Sequence, residues 1–143
     1  MRETRPVVTE PPGPNAEQLK MIQAVITRLA GNAFLVKGWT VTLVAGLAAI
    51  AKVDGNRDAA WISCGVVAIF ALLDAYYLAL ERMFRKVYER QATSGGPNDW
   101  SLKPNADEQV GVAEVVEALM RFAVWPFYVA ALVGSIAVAL TIV

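Results

Sequence analysis

Three long apolar runs leave this chain few folds to choose from. The first extends from Ala33 to Ala51 and is interrupted only by Lys37. The second extends from Ala59 to Leu80 and is interrupted only by Asp74. The third, from Phe122 to Val143, carries no charge. A bilayer core about 30 Å thick is crossed by about 20 helical residues, and each run has that length. A helix apolar on every face has no side to turn to water, which argues against a soluble bundle. The runs therefore predict an all-α integral membrane protein with three transmembrane helices, at about 33–51, 59–80 and 122–143.

Composition agrees. Hydrophobic residues make up 56% of the 143 positions and charged residues 18%, against roughly 45–50% and about 25% in soluble domains. The length suits one domain. The chain has no His and one Cys, which excludes most zinc sites and any His-dependent nucleophile. No catalytic residue, metal or cofactor is expected, and the chain reads as a non-enzyme. Cys64 lies inside the second run, where a thiol behaves as a small apolar side chain.

Thirteen basic and thirteen acidic residues cancel to zero net charge, but orientation depends on Lys and Arg alone. Only Lys52 and Arg57 lie between the first two spans, while the other eleven lie before span one, within it, or between spans two and three. The N-terminus is thus expected in the cytoplasm of a multi-pass protein of the bacterial inner membrane. Met1 to Pro14 is polar and Pro-rich, lacks the apolar stretch of a signal peptide, and reads as a disordered tail at 1–14. Asp54-Gly55-Asn56 is a tight-turn signal, so spans one and two should form an antiparallel hairpin.

The spans continue into the cytoplasm as helices, and residues 15–143 read as one helical membrane domain. Asn15 with Gln18 resembles a capping box, and Leu19, Ile22, Ile26 and Leu29 then recur at helical spacing. Asn105 with Glu108 repeats the cap ahead of Val112, Val115, Val116 and Leu119, opposed by Glu114, Glu117 and Arg121. That helix is expected to run into span three, with a kink near Phe122 caused by Pro126. Residues 91–105 read as a flexible cytoplasmic linker containing Trp100. Three helical extensions on one side would pack as a small cytoplasmic bundle.

Two sets of residues stand out. Lys37 and Asp74 are the only ionisable groups inside the spans, each roughly 6–9 Å from the inner membrane face. An antiparallel hairpin can pair them, either as a structural lock or as part of an ion pathway or gate. Arg82, Lys86 and Arg90 recur every fourth residue, with Arg85 beside them. That basic face suits lipid headgroups or an anionic ligand such as a nucleotide or oligonucleotide. Ala71, Ala75 and Ala79, and Ala130 with Gly134, are small residues at four-residue spacing that let helices approach closely, within the chain or between copies. Trp39, Trp61, Tyr76, Tyr77, Trp125 and Tyr128 read as interfacial aromatic belts.

Met21-Ile22-Gln23, Phe34 through Thr42, Leu73-Asp74-Ala75-Tyr76-Tyr77 and Glu81-Arg82-Met83-Phe84-Arg85 together resemble the small bacterial SLATT-type membrane effectors. These accompany nucleotidyltransferases in anti-phage operons, as in Hailong-type systems. The resemblance covers roughly residues 20–90. Typical members have two spans, so the third is a departure. The resemblance implies an oligomeric ion channel or membrane-disrupting effector of antiviral defence, in contact with membrane lipids. It also implies gating by a nucleotide or oligonucleotide that a partner nucleotidyltransferase makes. Arg82, Arg85, Lys86 and Arg90 are then the ligand-binding candidates, and Lys37 with Asp74 the gate. The competing expectation is a non-enzymatic scaffold or accessory subunit that recruits a cytosolic partner.

Overall fold

A computed structural model of the chain describes residues 14–55, 57–94, 104–105 and 108–141. Four helices follow in order: α1 (Pro14–Asp54), α2 (Arg57–Ser94), α3 (Val112–Leu119) and α4 (Trp125–Thr141). Among the described residues there is no strand. The expected tail (1–13 of it), Asn56, residues 95–103 of the expected linker with Trp100, and the last two residues of the third run lie outside them.

α1 and α2 have 41 and 38 residues, so they run about 60 Å each. Both are long and apolar enough to cross a membrane, while α4 is apolar but shorter, at 17 residues. α1 begins at Pro14, just before the expected cap at Asn15, and Gln18 is buried. The hairpin closes at Gly55, whose φ of 62° lies in the left-handed region. A side chain there would be strained. Four of the residues assigned to the linker, 91–94, instead complete α2.

The core is a ladder of small clusters along the hairpin. At the turn end, Ala51 meets Ala59, Ala60 and Ala139. Next, Val67 and Ala71 on α2 pack with Val124 and Tyr128. Ala75 and Ala79 then receive Ala118 of α3. At the open end Ile22 and Ile26 enclose Val87, as the periodicity of the α1 extension predicts. The alanine stripe of α2 is thus used within the chain: it forms the shallow groove in which α3 lies.

The third segment departs from the expected continuous helix. Asn105 and Glu108 form a turn in which the Asn105 N–H donates to Glu108 Oε2 at 2.8 Å, but no helix starts there. α3 begins beyond Gly111, whose N–H donates to Glu114 Oε2 at 2.8 Å, and the helix stops at Leu119. The kink expected near Phe122 is a complete break from Met120 to Val124. Pro126 supplies the reason: its ring would clash with the Phe122 carbonyl and it has no N–H to donate, so it is tolerated only in the first turn of a new helix.

The apolar stripe of α3 is also rotated from its expected position. Val112 is 82% exposed, Val116 is exposed, and the buried face is Val115, Ala118 and Leu119. Close approach to the α2 alanines puts a small residue, Ala118, at the centre of the contact, with Val115 and Leu119 at its edge.

Candidate functional site

The two residue sets lie at different heights on α2. Midway along the helix, Lys37 Nζ donates to Asp74 Oδ2 at 2.5 Å, the pairing that the hairpin predicts. Asp74 is 1% exposed and Lys37 27%. A cavity of about 290 Å³ opens beside them, lined by Phe34, Lys37, Asp74, Leu78, Glu81 and Val124. It lies between α1 and the α3–α4 break. Thr40, one turn on from Lys37, is fully buried and donates to the Val36 carbonyl at 2.8 Å.

Tyr128 completes this layer. It was expected in an aromatic belt, but it is buried. Its hydroxyl faces Asp74 and Thr40 without closing a hydrogen bond among the described residues. Three helices therefore bring an ion pair and two hydroxyls together at one depth. The position of Tyr128 in sequence gave no sign of this, because the break at Met120–Val124 sets the rotation of α4. Of the other expected belt residues, Trp39, Trp61, Tyr76 and Trp125 are exposed and Tyr77 is half-buried. Towards the turn end, a groove of about 420 Å³ separates α1 from α4, lined by Val44, Ala48, Phe127, Ala131 and Ser135 among others.

Near the open end of α2 the basic face does not stand alone. Arg82 Nη2 bonds Glu117 Oε1 at 3.0 Å, and Arg90 Nη1 bonds Glu108 Oε2 at 3.1 Å. Arg85 is occupied on its own helix, reaching Glu81 Oε1 at 2.7 Å one turn back. Lys86 faces a gap of about 50 Å³ lined by Arg82, Glu108, Glu114 and Glu117. Glu117 is held below its ordinary value by hydrogen bonds from Arg121 and then Arg82.

The carboxylates that meet this face were not singled out by the sequence pattern: Glu108 and Glu117 pair with the bases, and Glu114 lines the gap between them. Glu114 and Glu117 read as the solvent face of an amphipathic helix. The available signal was the opposite one: carboxylates at 108, 114 and 117 match in number the bases at 82, 86 and 90 on the preceding helix.

The geometry thus offers a charge-complementary contact between α2 and the 108–117 segment. The Lys37–Asp74 ion pair ties the apolar part of α2 to α1. No group of three or more His, Cys, Asp or Glu able to hold a metal is found among the described residues. No family model, curated protein or solved structure matches the chain.

Proposed function

We propose that this chain is an oligomeric, non-enzymatic membrane effector of anti-phage defence. In this reading it is an ion channel or membrane-disrupting protein, gated by a nucleotide or oligonucleotide signal that a partner nucleotidyltransferase makes. The protein sits in the bacterial inner membrane with its N-terminus cytoplasmic. α1 and α2 cross the membrane, and α4 makes a third crossing of about 26 Å, short enough to need local thinning of the bilayer. Arg82, Arg85, Lys86 and Arg90 receive the signal, and Lys37 with Asp74 is the pivot on which the moving part turns.

The observation that carries this reading is the continuity of α2. A single helix runs from Arg57 to Ser94, so the basic face and Asp74, the acidic half of the intramembrane pair, belong to one rigid element. The resemblance over residues 20–90 supports the defensive setting. A second reading, a scaffold that recruits a cytosolic partner, is favoured by the ion pairs that already occupy Arg82, Arg85 and Arg90. A face neutralised within the chain can serve simply to hold the helices together.

Reconstitution separates the two. Purified chain in liposomes loaded with a self-quenched dye and a potassium-sensitive reporter is exposed to nucleotides and short oligonucleotides. Triggered flux that is lost in a Arg82→Gln/Lys86→Gln/Arg90→Gln variant supports the effector. Silence under every trigger, together with a stoichiometric partner that co-purifies with monomeric chain, supports the scaffold.

A further inference from the structure

We infer that the segment carrying Glu108, Glu114 and Glu117 is a built-in strap that masks the anion-binding face of α2. A phosphate-bearing polyanion gains that face only by displacing the strap. This inference rests on the proposed reading of Arg82, Lys86 and Arg90 as an anion receptor, and it supplies the regulation of that site.

Three observations converge. First, the carboxylates sit where a ligand's anionic oxygens would sit, at 3.0 Å from Arg82 and 3.1 Å from Arg90. Arg82, Lys86 and Arg90 follow each other at intervals of about 6 Å along α2, so the face is a linear array of positive charge matched to a polyanion.

Second, the occupants would compete for the same bases. The gap in front of Lys86 is small, about 50 Å³, and Glu108, Glu114 and Glu117 line it. A ligand carrying several phosphates meets three carboxylates there, and like charges repel.

Third, the strap is lightly anchored on its other sides. α3 has eight residues, too few to be stable as an isolated helix in water. Its only buried side chain is Ala118, and its link to α4 is the non-helical stretch Met120–Val124. Its attachment to α2 is therefore a short apolar contact, Ala118 flanked by Val110, Val115 and Leu119, together with the ion pairs. Release of the strap frees the entry to α4, so masking also ties anion binding to the membrane part.

The test uses the full chain in lipid nanodiscs. One arm has neutral phosphatidylcholine discs and inorganic tripolyphosphate as the probe. A second arm has discs containing phosphatidylglycerol and no free anion, which separates a soluble phosphate from a lipid headgroup. Amide hydrogen exchange is followed in residues 108–119, and tripolyphosphate affinity is measured in parallel. The comparison variant is Glu108→Gln/Glu114→Gln/Glu117→Gln. Glutamine keeps an acceptor oxygen for the Asn105 and Gly111 N–H groups while removing the charge. A Glu17→Gln/Glu89→Gln variant controls for the general change in field.

Faster exchange across 108–119 in either arm supports the strap and names the source of the anion. Affinity raised about tenfold or more in the triple variant, but not in the control, supports it as well. Tripolyphosphate that binds through Arg82, Lys86 and Arg90 while 108–119 keeps its protection overturns the strap and leaves the receptor reading standing. Absence of binding to both the wild type and the triple variant, with no response to phosphatidylglycerol, overturns the receptor reading itself.

Discussion

At the residue scale, the Lys37–Asp74 pair is asymmetric. Lys37 is partly exposed and has a long apolar stem, so without its partner it can reach out to polar surroundings. Asp74 is short and 1% exposed, so without Lys37 it is stranded as an unpaired charge. Lys37→Met should therefore cost about 3 kcal/mol, and Asp74→Asn about 1 kcal/mol. Adding Asp74→Asn to Lys37→Met should recover most of the loss. Thermal unfolding in mild detergent measures all three. Tyr128 gives an opposite expectation. Its hydroxyl is buried beside Asp74 and Thr40 without a hydrogen bond among the described residues, and a burden of that kind costs about 1–3 kcal/mol. Tyr128→Phe should raise the midpoint of unfolding; a fall would mean that the hydroxyl is engaged by a water or ligand bridging it to Asp74 or Thr40.

At the scale of elements, the break between α3 and α4 and the ion pairs of α3 make separate predictions. Pro126→Ala restores a donor and removes the clash with the Phe122 carbonyl, so residues 120–124 should become helical and slow their amide exchange. Glu117 governs a pH effect. Its carboxyl is held below the ordinary 4.5 by Arg121 and Arg82, so it stays charged in the folded state to a lower pH than in the unfolded one. The stability it adds is complete above about pH 4.5 and is lost as pH falls through the depressed folded value. Acid should therefore loosen α3, seen as lost protection across 112–119 after correction for intrinsic exchange. Glu117→Gln should remove that step below about pH 4.5, and by losing the pair with Arg82 it should lower protection across 112–119 already between pH 5 and 7.

The same elements show what the sequence could and could not convey. The hairpin, its turn at Gly55 and the Lys37–Asp74 pair were legible because each follows from local pattern plus antiparallel geometry. The face of α3 was legible only in half. Val115 and Leu119 of the expected stripe pack there, but Val112 and Val116 do not, and the most deeply buried residue is Ala118, in the groove that Ala75 and Ala79 create on another helix. The partners of Arg82 and Arg90 were hidden for a similar reason. Ion pairing across more than fifteen residues of chain depends on where the Glu108 turn delivers α3, and no short-range rule supplies that position. Tyr128 failed for the third reason: an aromatic near the start of an apolar run fits a belt by default, and only the rotation of α4 turns it inward.

For the whole molecule, the effector reading requires more than one copy. Much of α1 is open to its surroundings, including Phe34, Leu35, Trp39, Val41, Leu43 and Ile50, and among the described residues no span carries a regular polar stripe that one chain alone could turn into a pore. Light scattering in detergent should give a closed oligomer, and a strictly monomeric particle would sink the channel. Within each copy, α2 is a rod about 57 Å long, and Asp74 lies almost at its midpoint. A rocking motion of about 5° about that midpoint carries each tip only about 2.5 Å, in opposite senses. The ion pair thus occupies the fulcrum, where a tilting rod moves least. Leverage of this kind lets Lys37 keep hold of Asp74 while the Arg90 tip and the Arg57 tip swing in opposition.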